Sequence, residues 1–364
     1  MRYTTIMGSY TERLLTRWHA EGEEVVIDLH EAMMQLTMDI VARTLFDIDL
    51  QDSAPEVSHA LGLVLKAYTT QMTSAFRHLL ARLPLSLVPA VSPRLETAVQ
   101  QLDGLIYRFI EEHRSAQHER DDLLSTLMAA QGEDGSQMTD QQVRDEVMTL
   151  FLAGHETTAN LLSWLWYLLS LFPEQEDLLR QEACQVLGGR TPTLADLTSL
   201  PYTQQAIKET LRLYPPVWWI SRETVEDWKL PEGTIPKGAE VGMSQWVMHR
   251  DPRFFEEPLR WKPERWHNDL EKRLPRQVYF PFGGGPHLCI GNAFAMMEAS
   301  LIVATMIQRC HFERVERLPL EPEASLTLRP KHTLQVMVQW RKGLCCNTTC
   351  VASPFAQRII SPLR

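Results

Sequence analysis

No stretch of this chain is long and apolar enough to suggest a bilayer span. The run Leu161–Phe172 (LLSWLWYLLSLF) has twelve residues, against the roughly 20 that a membrane helix needs. No signal or anchor segment is evident either; the expected location is cytoplasmic, with an anchor in a missing N-terminal region left open. Positive charge is scarce: 46 Asp and Glu outnumber 36 Lys and Arg, and the net charge of −10 disfavours nucleic acid as a partner. There are six cysteines in 364 residues, and three of them, Cys345, Cys346 and Cys350, crowd into the tail. Their spacing matches neither a Cys-x-x-Cys metal pair nor a secreted disulfide framework. His155-Glu156 opens a zinc-protease pattern, but Ala159 stands where the second histidine is required. Asn347-Thr348-Thr349 fits the glycosylation acceptor pattern, with nothing else to indicate secretion. Linker-like breaks are missing up to residue 340, so 1–340 reads as one domain, while 341–364 lacks periodicity and reads as a disordered tail.

Against these absences, Phe282–Gly291 (FGGGPHLCIG) is rich in information. Gly283, Gly284 and Gly285 let the backbone pass close to a flat ligand and take positive φ angles. Cys289 ends the loop, and from Ile290 a proline-free stretch rich in Ala, Met and Leu predicts a helix of about five turns starting at the cysteine. A sulfur at a helix start faces free N–H groups, which with the helix dipole favour the thiolate, the metal-binding form of cysteine. The segment therefore reads as a thiolate metal site. A buried cysteine beside a glycine-rich turn is the plainer alternative.

Two further segments belong with it. Thr139–Phe172 carries Thr139 and Gln142 as a capping box, contains no proline and stops at Pro173, so it reads as one helix of roughly 50 Å, its apolar end buried. In its middle stands Ala153-Gly154-His155-Glu156-Thr157-Thr158, where a glycine and back-bonding threonines predict a local distortion. Glu209 and Arg212 lie three apart on a predicted helix from about Tyr202 to Leu213, and Pro263-Glu264-Arg265-Trp266 follows about fifty residues later. Two other Glu-x-x-Arg matches, Glu111/Arg114 and Glu257/Arg260, read as solvated pairs. Long helical patterns dominate up to Leu213 and short β-branched runs follow, giving a mainly α fold with small β-sheets.

In order and spacing these motifs resemble those of the cytochrome P450 family, haem-thiolate monooxygenases. The resemblance implies haem b as cofactor, with Cys289 as proximal iron ligand and Phe282, Gly283, Gly285, Gly291 and Ala153 around the cofactor. His287 and Arg222 match propionate contacts, Glu156 and Thr157 match the acid–alcohol pair that relays protons to bound dioxygen, and Glu209, Arg212 and Arg265 match a buried network supporting the haem loop. It further implies O2 as co-substrate and a ferredoxin or flavoprotein reductase as electron donor, since the chain holds no flavin or ferredoxin motif. A small apolar substrate is expected, such as a fatty acid or terpenoid, on the strength of Phe151, Leu152, Ala153, Val217 and Trp218 as pocket candidates.

The chain also departs from the family. The resemblance enters the fold late, at elements that follow the family's third helix, so the expected fold is N-terminally truncated. The Trp-x-x-x-Arg by which that helix binds a propionate is not found ahead of the helix Met7–Ala20, the strand Val25–Ile27 and the helix Asp28–Phe46. A cofactor wall lacking in this way predicts weak haem retention, because it bares apolar surface. Three alternatives stand beside the monooxygenase: a haem-binding fragment without turnover, an inactive remnant, and a peroxide-using relative.

Overall fold

The computed structural model of the chain describes residues 2–50, 57, 60–64, 67, 93–115, 122–131 and 135–341. The expected tail, apart from Arg341, lies outside them. The described chain is mainly helical: α1 (Arg2–Glu21), α2 (Leu29–Leu45), α3 (Pro93–Ser115), α4 (Leu123–Ala129), α5 (Asp140–Leu171), α6 (Pro173–Leu187), α7 (Pro201–Leu213), the short α8 (Gln245–Met248) and α9 (Leu270–Arg273), and α10 (Asn292–Arg309). The first helix starts at Arg2 rather than Met7.

α5 is the axis of the fold, and its ends are where the sequence places them. The Thr139 hydroxyl accepts the Gln142 N–H (3.3 Å) and the Gln142 side chain accepts the Thr139 N–H (2.8 Å), satisfying two donors that a helix start leaves free. At the other end Phe172 caps the helix and Pro173 begins α6. Two apolar cores divide along its length. Val143, Val147 and Phe151 pack with α3 and the second half of α2, and Ala159 to Leu169 pack with α1, α6, α7 and α10. The seam between the cores falls at Leu152–Thr158, the stretch singled out in the sequence.

The sheets are small. β1 (Glu24–Asp28) and β6 (Cys310–Arg314) flank β9 (Gln335–Trp340) in an antiparallel trio, with Val26 opposite Met337 and Phe312 opposite Val338. Asp28 ends β1 and also caps α2, its carboxylate accepting the His30 N–H at 3.0 Å. The remaining strands form three two-stranded pairs: β2 (Ile220–Glu223) with β5 (Glu240–Met243), β3 (Trp228–Leu230) with β4 (Gly233–Ile235), and β7 (Pro322–Ala324) with β8 (Leu328–Pro330). The last pair is pinned to α5, where the Trp164 indole donates to the Leu328 carbonyl at 3.0 Å. Among the described residues no helix is long and apolar enough to cross a membrane.

Candidate active site

The cysteine loop is a closed turn. The Cys289 N–H donates to the Phe282 carbonyl at 3.0 Å, and a turn leading into that ring is closed by the Gly283 N–H, which donates to the Phe280 carbonyl at 2.9 Å. Gly283 and Gly285 sit at φ of +74° and +68°, where any side chain would be strained. The helix does not start at the cysteine: α10 begins at Asn292, with Gly291 as its cap. Cys289 thus precedes the helix by three residues, and its sulfur lies 3.8 Å from where a Cβ on Gly291 would be. The thiol is exposed and unbonded to any other cysteine. Leu288 and Ile290 beside it are 49% and 88% exposed, an unusual setting for aliphatic side chains.

Behind the loop, Glu209 and Arg212 are fully buried on α7. Arg212 Nε and Nη2 grip the two Glu209 oxygens at 2.9 and 2.8 Å, and its remaining N–H groups reach the carbonyls of His249, Pro258 and Arg260. Arg265 Nε adds a 3.2 Å bond to Glu209 Oε1, the Lys262 N–H one of 3.0 Å, and the Trp266 indole one of 2.9 Å to Oε2. The carboxylate receives five donors, so its burial leaves no charge uncompensated. By contrast Glu257 and Arg260 meet in solvent, and Arg114 pairs with Asp140 instead of Glu111.

His249, which the sequence did not flag, joins this network to the loop. It is fully buried; its carbonyl accepts from Arg212 and its Nε2 accepts the Phe280 N–H at 3.0 Å. Burial and the Arg212 charge push its pKa down to about 3, so it stays neutral and able to accept. No sequence signal marked it, because its partners lie 37 and 31 residues away.

On α5 the expected distortion does not interrupt the helix. Three successive carbonyls instead take an extra hydroxyl: Thr157 donates to Ala153 (2.8 Å), Thr158 to Gly154 (3.2 Å), and Thr37 of α2 to His155 (3.0 Å). Gly154 has a packing reason, since a Cβ there would stand 3.1 Å from Val41 of α2. His155 is buried, donates from Nδ1 to the Phe151 carbonyl at 2.8 Å, and is pushed by burial down to a pKa of about 4. Ala153 is exposed and Thr157 half-buried on one face, whereas Glu156 is buried and turned toward β8, where Thr327 donates to its carboxylate at 2.7 Å. Burial raises the Glu156 pKa, against that hydrogen bond and the charge of Arg329. The neighbours Glu156 and Thr157 therefore bond to different partners. Thr327 and Asn160, whose amide donates to the Thr327 hydroxyl at 3.1 Å, were missed in the sequence.

Of the propionate candidates, Arg222 lies within β2, is exposed, and donates from its side chain to the Ser221 carbonyl at 2.7 Å; His287 is exposed on the loop's 3-10 turn. Neither forms an ion pair among the described residues. Of the pocket candidates Phe151 is taken up by the core shared with α3 and the second half of α2, against Phe46, while Leu152, Ala153, Val217 and Trp218 keep some exposure.

An exposed thiol on a glycine loop, a buried ion network behind it and one long helix across the fold are features that fit a haem-thiolate oxidoreductase. The fold is similar to the crystal structure of a cytochrome P450DA haem domain, with a TM-score of 0.82 and 24% identity over 93% of this chain and 73% of that one. The Cytochrome P450 family model matches residues 1–338. Cyclooctatin synthase of Streptomyces melanosporofaciens is 38% identical over 90% of this chain and 70% of its own length. Cyclooctat-9-en-7-ol 5-monooxygenase of the same organism is 36% identical over 84% and 66%, and pentalenene oxygenase of Streptomyces avermitilis 35% over 89% and 69%. The chain belongs to the cytochrome P450 family and is a monooxygenase of that type. It spans 66–70% of the length of these relatives.

The family's cofactor is haem, and the residues present fit it. The loop offers one soft donor with no competing disulfide, and positions 284 and 285 would meet nothing within 4 Å even with a Cβ. The exposed Leu288 and Ile290 supply an apolar surface beside the donor, and Arg222 and His287 are free of carboxylates among the described residues.

Proposed function

We propose that this chain holds haem b through the Cys289 thiolate and inserts one oxygen atom from O2 into a C–H bond of a small apolar substrate. The observation that carries the reading is the exposed, unpaired Cys289 on a loop tied through His249 to a buried, fully satisfied ion network. A thiolate-ligated haem, when bound, supplies the chemistry of O–O cleavage. The chain's residues supply the rest. Phe282, Gly283, Gly285 and Gly291 shape the turn that presents the sulfur, and the small, exposed Ala153 on α5 would leave room for a flat group. His287 and Arg222 offer N–H donors to carboxylates on the cofactor edge. The Thr157 hydroxyl and the Glu156 carboxyl would hold and move protons, and Glu209, Arg212 and Arg265 would keep the loop fixed while they do so.

Electrons come from a separate ferredoxin or flavoprotein. The substrate is an olefinic hydrocarbon or its mono-alcohol, the class to which the pentalenene and cyclooctat-9-en-7-ol of the relatives' names belong. The half-exposed Leu152, Val217 and Trp218 suit such a ligand. The test is the absorption spectrum of the purified chain, reduced and exposed to carbon monoxide, beside Cys289→Ser. A long-wavelength Soret band lost in the variant is expected; the same band in both proteins, or no haem band in either, would overturn the assignment.

A further inference from the structure

Glu156 is buried on α5 and does not share the face on which Ala153 and Thr157 reach solvent. Its Oε1 accepts the hydroxyl proton of Thr327, 171 residues away, at 2.7 Å. The Asn160 amide donates to the Thr327 oxygen at 3.1 Å, which occupies one of its lone pairs and leaves the hydroxyl proton available to Glu156. Thr327 itself stands just before β8, whose Leu328 is held on both sides: its N–H donates to the Pro216 carbonyl at 2.8 Å and its carbonyl accepts from the Trp164 indole at 3.0 Å. The donor therefore sits on a strand that α5 and the segment after α7 hold in place.

We propose that Thr327 is a positioning residue for the distal acid: its hydroxyl, oriented by Asn160, turns the Glu156 carboxyl away from the Ala153/Thr157 face and favours its anion. The proposal rests on the assignment of Glu156 to proton handling only for its consequence in turnover. Asn160 is an amide that cannot pass a proton on, so Thr327 orients and tunes Glu156 and does not feed it. A carboxylate that receives a fixed O–H donor is favoured over its acid form, in opposition to burial, which pushes the Glu156 pKa up. Arg329 of β8 is the charged group that acts on it across this contact, itself bonded to Glu323 at 2.7 Å, and His155 beside it is buried and neutral. To deliver a proton toward Thr157 the Glu156 side chain has to leave Thr327, so the strength of this contact sets how readily it does so.

The experiment is infrared titration of the full chain as purified, reading the protonated-carboxyl band that disappears in Glu156→Gln, in the parent, Thr327→Val, Thr327→Ser and Asn160→Ala proteins. The midpoint of that band is expected to rise by about one pH unit in Thr327→Val, to stay in place in Thr327→Ser, and to rise by less in Asn160→Ala. Equal midpoints in the parent and Asn160→Ala overturn the proposal even if Thr327→Val fails to fold. Equal midpoints in the parent and Thr327→Val, or an equal rise in Thr327→Ser and Thr327→Val, overturn it as well. Because the band needs no cofactor, this result is separate from the haem assignment. If the midpoints move as expected while the acid limb of turnover in the haem-loaded protein does not follow, Thr327 positions Glu156 and the proton role given to Glu156 is wrong.

Discussion

The ion network on α7 and the cysteine loop it supports are opposite solutions to placing polar chemistry in a protein. Glu209 gathers five donors from Arg212, Arg265, Lys262 and Trp266, and Arg212 spends its own N–H groups on the Glu209 carboxylate and three carbonyls. The network is complete within the chain. The loop is open to solvent: Cys289 and His287 are exposed, as are Leu288 and Ile290 beside the thiol. Removing a part of the first should cost folding, and removing a part of the second should cost ligand chemistry while leaving the fold alone. That asymmetry separates a residue that builds a site from one that acts in it.

The largest expected effect is on the closed side. Arg212→Leu leaves a fully buried carboxylate with two of its five donors gone and three carbonyls without partners, a change that typically costs about 3–5 kcal/mol. Denaturant unfolding of the chain without cofactor should show this loss or a failure to accumulate soluble protein. Cys289→Ser, by the same measurement, should unfold within about 0.5 kcal/mol of the parent, as exposed substitutions do. Equal losses in the two would break the contrast.

His249 sits between the two regions and sharpens it through pH. Its folded pKa is pushed from the ordinary 6.5 down to about 3, and His30 and His155 are pushed in the same direction to about 4. Between these values and 6.5 the unfolded chain binds protons that the folded chain refuses, so stability falls as pH drops from about 6.5 toward 4. Each of the three contributes up to about 1.4 kcal/mol per pH unit to that slope. His249→Asn, which keeps an acceptor for the Phe280 N–H, should make the slope shallower by about one such share. An unchanged slope would mean that His249 is protonated in the folded state.

What the sequence made legible was local or repeated at fixed spacing. The Thr139/Gln142 box, the Glu209/Arg212 pair on one turn, the stop at Pro173 and the glycine loop each depend on residues a few positions apart. What it hid depends on which elements cross. Nothing near His249 announces that Phe280 will lean on it, and nothing near Glu156 announces Thr327. Glycine at 154 read as a weak point in a helix, yet Val41 of α2 approaches within 3.1 Å of its would-be Cβ. Phe151 read as a pocket wall because an apolar residue beside a motif looks the same whether it faces a ligand or a core; the packing of Phe46 decides it. Glu156 and Thr157 match the family's acid–alcohol pair, but successive residues on a helix point about 100° apart, and the separate bonds each makes, to Thr327 and to the Ala153 carbonyl, depend on the fold.

A small expected effect at Arg260 is the most discriminating, because it comes from the same sequence pattern. Glu257 and Arg260 repeat the Glu-x-x-Arg spacing, with a 3.2 Å contact at 47% and 62% side-chain exposure. Arg260→Ala should shift unfolding by less than about 1 kcal/mol, since an exposed pair gains little and is screened by salt. Arg260 nonetheless belongs to the closed network, because its carbonyl accepts from Arg212 Nη2 at 3.1 Å. Alanine keeps that carbonyl, so the substitution removes only the solvated half of the residue. A loss approaching that of Arg212→Leu would show that the Arg260 side chain holds its own backbone in place for Arg212. A negligible loss would show that the motif is structural through burial and donor count, and that the spacing of the two charges does not make it so.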